Sequence, residues 1–184
     1  MLEKDILDQL KSIFSTLETS VTLVVTGVSS RNETREMLEF ARDFASVSDA
    51  LSVKAEDAPT EENAPRLQLW RDANPTGVTF CGIPNGHEFS TLIMAVLNAA
   101  GMGRNLPDEG LRRRIERLQG PAEIFTFVSL SCTNCPDVAQ ALNIVALLNP
   151  RFTNTVIDGA VAPEMVKSYN VQSVPAVFAN GQLL

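Results

Sequence analysis

Ile124-Phe125-Thr126-Phe127-Val128-Ser129-Leu130-Ser131-Cys132-Thr133-Asn134-Cys135-Pro136-Asp137-Val138 is the stretch that decides the fold. Its apolar and β-branched first part, Ile124 to Leu130, predicts a buried strand. From Cys135 onward, Val138, Leu142, Val145 and Leu148 recur at helical spacing and predict an inward-facing stripe. The two cysteines therefore stand at a strand-to-helix junction, the setting in which C-x-x-C reads as a thioredoxin-like redox pair. A first cysteine at the tip of a helix lies near free N–H groups and the positive end of the dipole, which favour a thiolate. The second, one turn inside and shielded, resolves the mixed disulfide. Pro136 suits a first turn, where a missing N–H loses no hydrogen bond.

Val174-Pro175 follows Cys135 by about 40 residues and precedes a short strand, Ala176 to Ala179, and an Asn180-Gly181 hairpin signal. A cis-proline there would face the dithiol and offer its backbone to an extended partner segment, so a cis Val174–Pro175 bond is expected.

Outward from this junction, elements alternate. Leu2, Ile6, Leu10, Ile13 and Leu17 predict a first helix, and Val21 to Val25 a strand. Ser30-Arg31-Asn32-Glu33 reads as a capping box opening a helix with Met37, Phe40, Ala41 and Phe44 on one face. Ala50 to Ala55 predicts a strand, and Glu56 to Pro65 an acidic loop. Leu67 to Trp70 and Val78 to Cys81 predict two strands joined by an Asn74-Pro75-Thr76-Gly77 turn. A helix bearing Phe89, Leu92, Ile93, Val96, Leu97 and Ala100 closes this half, and Gly101 to Pro107 reads as a linker. A basic helix (Asp108 to Leu118), a Gly120-Pro121 turn, the dithiol unit, a strand from Phe152 to Ile157 and a helix from Glu164 to Tyr169 follow. The order of elements in the two halves matches, with little residue identity. The expected fold is α/β.

Composition narrows the function. Net charge is −7 over 184 residues, and the one dense basic cluster, Arg112-Arg113-Arg114 with Arg117, spreads around a helix as a solvated face. Nucleic acid is therefore not an expected ligand. The longest apolar runs fall short of a bilayer, and Met1-Leu2-Glu3-Lys4-Asp5 is no signal peptide, so a cytoplasmic address is expected. Three cysteines do not make a multi-disulfide scaffold. Cys81 and His87 could complete a Cys₃His zinc set with the dithiol on paper, but Cys81 sits in an apolar strand, and no metal is expected. Glu88 opens a helix, where a carboxylate complements the dipole; its sharper role would be to tune the thiols. Trp70, Tyr169 and Cys81 read as packing.

Ser129-Leu130-Ser131-Cys132-Thr133-Asn134-Cys135-Pro136-Asp137-Val138, Gln140-Ala141-Leu142-Asn143, Leu148-Asn149-Pro150, Val174-Pro175-Ala176-Val177-Phe178 and Gly86-His87-Glu88-Phe89 together resemble one family, over essentially the whole chain. It is the N-terminal domain of the flavoprotein component of bacterial alkyl hydroperoxide reductase. The resemblance implies two fused thioredoxin-like folds: residues 1–102, degenerate and without a redox dithiol, and residues 103–184, redox-active. It implies that Cys132 is the interchange nucleophile and Cys135 the resolving thiol, that Val174, Pro175, Thr133 and Asn134 support them, and that Glu88 belongs to the degenerate first site. Thr133 stands where the family often has histidine. The implied electron path runs from NADH through FAD and a C-terminal flavoprotein reductase domain to this dithiol, then to a peroxiredoxin. No G-x-G-x-x-G occurs, so no cofactor is expected in this chain itself, with FAD and NADH belonging to a longer, homodimeric protein. The second fold is expected to be truncated at its C-terminal end, because the chain stops soon after the Asn180-Gly181 turn. The competing expectations are a free-standing glutaredoxin-like reductase and a non-enzymatic zinc or interaction domain.

Overall fold

A computed structural model describes residues 2–184 of the protein. Met1, the first residue of the acidic N-terminal segment, lies outside the described residues.

Amphipathic spacing builds α1 (Lys4–Phe14), which buries Leu10 and Phe14. Ile13, expected in the stripe, is instead exposed, because the helix turns Phe14 rather than its neighbour onto the core. β1 (Val21–Gly27) follows, then α2 (Asn32–Ala45), with Met37, Phe40, Ala41 and Phe44 all buried. The expected capping box does not form. α2 starts one residue later than the box requires, at Asn32, with Arg31 as its N-cap and no side-chain cap, while the Ser30 carbonyl accepts from Arg35 Nη1 at 2.8 Å. β2 (Leu51–Asp57) and a short 3₁₀ turn (Glu61–Asn63) lead to β3 (Arg66–Arg71) and β4 (Asn74–Cys81). The turn between the last two is Asp72-Ala73, not Asn74 to Gly77. Both residues adopt positive φ (48° and 65°), the mirror-image turn whose twist matches a two-stranded ribbon. Pro75 is accommodated in β4 ahead of Val78, where pairing to the next strand begins, so its missing N–H breaks no ladder on that side.

The second half repeats the plan: α3 (Glu88–Ala99) closes the first, and α4 (Glu109–Glu116), capped by Asp108 accepting from Leu111 N–H at 3.0 Å, opens the second. Then come β5 (Ala122–Val128), α5 (Cys135–Leu148), β6 (Phe152–Asp158), α6 (Pro163–Ser168), β7 (Ala176–Ala179) and β8 (Gln182–Leu183). Gly120–Pro121 and Val174–Pro175 are both cis. The first was expected only as a turn; the second agrees with the sequence reading.

All eight strands form one sheet in the order β2-β1-β3-β4-β6-β5-β7-β8. Each half has the same internal pattern: one parallel pair (β1/β2, β5/β6), then two antiparallel pairs (β1/β3 and β3/β4; β5/β7 and β7/β8). The halves join edge to edge through a parallel β4–β6 pairing, Val78 opposite Asn154 to Cys81 opposite Ile157. The chain is thus an α/β fold of tandem thioredoxin-like units sharing one sheet, and each half covers an edge the other would expose.

Two apolar clusters fix the layers. On one face Phe14, Phe40, Phe44 and Phe89 pack together with ring centroids 5.4 to 6.3 Å apart, edge to face except for the tilted Phe40–Phe44 pair. On the other, Tyr169 packs against Phe125, Phe127 and Phe178 at 4.9 to 5.6 Å. Trp70 is half-buried, with Lys54 Nζ 5.2 Å from its ring centroid.

The stripe on α5 differs from the expected one. Cys135, Ala139, Asn143, Ile144 and Ala146 are buried, whereas Val138, Leu142, Val145 and Leu148 are only half-buried. Small residues face inward because α5 runs close against both α3 and the strands β4 and β6. Asn143 is acceptable there because Asn154 Nδ2 donates to its Oδ1 (2.8 Å), while Thr126 donates to Asn154 Oδ1 (2.8 Å). This buried chain ties β5, β6 and α5 together behind the dithiol.

Candidate active site

β5 delivers the chain to the site, and α5 takes it away. Between them Cys132 N–H donates to Ser129 O at 2.9 Å, closing a tight turn. α5 begins only at Cys135, with Asn134 as its N-cap. Cys132 therefore sits in the loop ahead of the helix rather than on its first turn, and Cys135 occupies the first helical position rather than one turn inside. The turn closed on Ser129 uses the backbone that an earlier helix start would need. The two sulfurs are bonded, with Cα atoms 5.5 Å apart, so the Cys132 sulfur is still held at the helix N-terminus. Cys135 is fully buried; Cys132 is half-exposed, and Thr133 and Asn134 face solvent.

β7 lies antiparallel beside β5 with Ala176 opposite Phe127, which brings Pro175 to the end of β5 where the dithiol loop departs. Val174 O stands 4.0 Å from Cys132 Sγ. Sequence reading placed these two segments together, and the structure brings them together.

The first half reaches the same place by backbone. His87 N–H donates to Leu130 O at 3.0 Å. Gly86 adopts φ +54°, and a Cβ there would approach Leu130 O to 2.5 Å, so only glycine allows this contact. Glu88, the first residue of α3, is 1% exposed, and neither carboxylate oxygen has a hydrogen-bond partner. Burial pushes its pKa up; the neighbouring Thr91 hydroxyl and His87 pull the other way, and Asp158 adds to the rise. Glu88 lines a cavity of about 10 Å³ with Cys81, Val128, Leu130 and Asp158, a lining that includes neither dithiol cysteine.

Cys81 is 2% exposed, and its thiol is pushed up to about 11, chiefly by burial. Among the described residues no group of three or more His, Cys, Asp or Glu could hold a metal, so the Cys₃His set considered from sequence does not assemble. At pH 8 iodoacetamide should label the reduced native protein at Cys132 first, leaving Cys81 untouched until denaturant is added. Peptide mapping by mass spectrometry checks both, and early labelling at Cys135 would reverse the assignment.

A thioredoxin-domain family model matches residues 123–184, the dithiol half. The N-terminal domain of the alkyl hydroperoxide reductase AhpF of Enterococcus faecalis has a similar structure, with a TM-score of 0.89 at 32% identity, covering 100% of this chain and 93% of that one. The chain belongs to the AhpF family of alkyl hydroperoxide reductases. The Staphylococcus aureus relative is 37% identical over 182 residues, 99% of this chain but 34% of that protein. The chain thus spans about a third of the length of its curated AhpF relatives. A protein disulfide oxidoreductase from Aeropyrum pernix shares the fold, with a TM-score of 0.85 at 20% identity. Within AhpF the chain corresponds to the N-terminal domain, and it is a dithiol–disulfide oxidoreductase module.

Sequence reading missed two features around this site. Asp158 ends β6 buried beside Glu88 and Cys81, but an acidic residue at a strand end carries no signal. Asn149, just past the end of α5, holds the end of α4 by donating to Ile115 O (2.9 Å) and Leu118 O (3.1 Å).

Proposed function

We propose that this module receives electrons from a flavoprotein reductase region using FAD and NADH, and passes them to the disulfide of a peroxiredoxin that reduces alkyl hydroperoxides. Residues 1–102 act as a scaffold without a dithiol, and residues 103–184 as the redox unit. Cys132 is the nucleophile, Cys135 resolves, Thr133 and Asn134 shape the exposed rim, and Val174 and Pro175 present the backbone edge on which a partner segment docks. The cofactors bind outside this chain, in a homodimeric cytoplasmic protein. Among the described residues no helix is long and apolar enough to cross a membrane.

The observation that carries this reading is the asymmetry of the pair: a half-exposed Cys132 bonded to a buried Cys135, with Val174 O 4.0 Å from the outer sulfur. Mixing the full-length protein with NADH, an oxidised two-cysteine peroxiredoxin and a hydroperoxide tests it. NADH consumption should depend on both the peroxiredoxin and Cys132. Consumption at the same rate with glutathione disulfide as the only acceptor would favour a general reductase instead.

Glu88 is proposed to act on the dithiol through its charge. Because its folded pKa lies above the ordinary glutamate value, the folded state holds the proton more tightly than the unfolded chain. Stability should therefore fall as pH rises from the unfolded value through the folded one, and level off above it. Glu88→Gln should lack that fall, so its stability relative to wild type should increase from pH 4 to pH 8 by urea denaturation. If the ionised carboxylate also reaches the sulfurs, Glu88→Gln lowers the pKa of Cys132. An unchanged Cys132 titration would leave Glu88 as a charge at a helix start.

A further inference from the structure

Residues 56–65 read as a featureless acidic loop in the sequence, yet Glu62 makes one of the longest-range polar contacts in the molecule. Glu164 N–H donates to Glu62 Oε2 at 3.0 Å, and Met165 N–H donates to Glu62 Oε1. These are first-turn N–H groups of α6, which has no side-chain cap of its own because Ala162 is its N-cap residue. The cap is supplied instead from the other half of the chain, more than 100 residues away.

The loop is shaped to deliver that carboxylate. Glu62 and Asn63 both adopt left-handed backbone, φ 52° and 54°, a conformation a glutamate rarely takes without compensation. Thr60 fastens the turn by donating its hydroxyl to Ala64 O at 2.6 Å, and Arg66 holds the adjacent Glu61 at 2.7 Å. A second contact from the same half meets the segment before α6: Val161 packs over Gly82, so closely that a Cβ on Gly82 would lie 2.8 Å from Val161 Cγ2.

α6 is in turn joined to the proposed docking edge. Val171 N–H donates to Val166 O at 2.9 Å, and three residues later Val174 O stands 4.0 Å from Cys132 Sγ. A continuous path therefore runs from Glu62 through the first turn of α6 and the 171–174 segment to the space in front of the reactive sulfur. Apart from Glu62, every link is backbone or packing.

We infer that Glu62 is a positioning residue, through which the half without the dithiol sets where a partner's backbone meets Val174 in front of Cys132. This rests on the reading of Val174–Pro175 as the docking edge. Glu62 touches neither sulfur, so its removal should alter recognition of a protein substrate and not the intrinsic exchange chemistry.

The test compares wild type, Glu62→Ala and Glu62→Gln in the full chain, each pre-reduced, with two oxidants: cystamine, which needs no docking, and an oxidised two-cysteine peroxiredoxin. In either case the two thiols of the module become its disulfide, and one acceptor disulfide is reduced to two thiols. Glu62→Ala should raise the apparent KM for the peroxiredoxin about five-fold or more while changing the rate with cystamine less than about two-fold. Glu62→Gln, which keeps an acceptor oxygen, should fall between. Amide hydrogen exchange should quicken about ten-fold at residues 164–174 in Glu62→Ala and stay unchanged in α2 and β1. An unchanged KM overturns the inference whether or not exchange quickens, and so does unchanged exchange at 164–174. Equal losses with cystamine and peroxiredoxin overturn it too, by showing general damage. A wild-type chain that reduces cystamine but no peroxiredoxin sinks the docking-edge reading, and the inference with it.

Discussion

Cys132→Ser should lower transfer to a protein disulfide by about three orders of magnitude, whereas Cys135→Ser should stop the reaction one step later, with the partner covalently attached. The difference follows from where the two sulfurs sit. Cys132 is half-exposed in the loop before α5, with its sulfur held at the N-terminal end of that helix, where dipole and free N–H groups favour a thiolate. In the proposed reaction the Cys132 thiolate of the reduced module attacks a partner sulfur, forming a mixed disulfide and releasing the partner's other sulfur as a thiolate. Cys135 is fully buried, with its sulfur bonded to Cys132 Sγ. As the proposed resolving thiol, Cys135 attacks Cys132 Sγ, frees the partner's second thiol and leaves the module oxidised. Without Cys135 the mixed disulfide has no resolving thiol, because Cys81 is buried and its thiol, pushed up to about 11, stays protonated. Non-reducing electrophoresis of Cys135→Ser with an oxidised peroxiredoxin should show the adduct, and Cys132→Ser should show none.

A second large effect is expected far from any sulfur. Asn154 sits fully buried in β6 between Thr126 of β5 and Asn143 of α5, accepting from one at 2.8 Å and donating to the other at 2.8 Å. Asn154→Ala removes both bonds at once and strands a hydroxyl and an amide oxygen in the interior. Each buried group left without a partner costs about 1–3 kcal/mol, and the cavity adds to that. A loss of about 3 kcal/mol or more is expected, equivalent to a fall in Tm of about 6–12 °C for a chain of this size. Because the same chain of bonds anchors α5 behind Cys135, the variant should also oxidise less uniformly, with a larger fraction of free Cys132. Urea denaturation with thiol counting checks both; a change below about 1 kcal/mol would show that water or repacking replaces the network.

What was legible in the sequence was what local chemistry dictates. A β-branched strand running into C-x-x-C-P, and a Val-Pro before a short strand, place the dithiol and its facing loop without further help. The apolar periodicity of α2 named its buried face correctly because large side chains decide that packing. On α5 the same rule misled, since close approach to α3 selected Ala139, Ala146 and a bonded Asn143 over the leucines and valines. Asp72-Ala73 lacks the glycine that marks such a turn, so the nearby Asn-Pro-Thr-Gly drew the prediction. Ser30 lost its capping role because α2 starts one residue later, with Arg31 as its N-cap. The least legible features were non-local: the β4–β6 pairing that fuses two sheets into one, and the reach of Glu62 to α6. Neither leaves a periodic trace in either partner's sequence.

The central claim is that Cys132 and Cys135 together carry one pair of electrons to a protein disulfide. A single-turnover mixture of pre-reduced module and oxidised peroxiredoxin, quenched in acid and alkylated for mass spectrometry, tests it most directly. The account predicts that each module passing electrons falls from three free thiols to one, the remaining thiol being Cys81, while one peroxiredoxin disulfide becomes two thiols. Peroxiredoxin reduced while the module keeps all three thiols, or a module disulfide that includes Cys81, would contradict it.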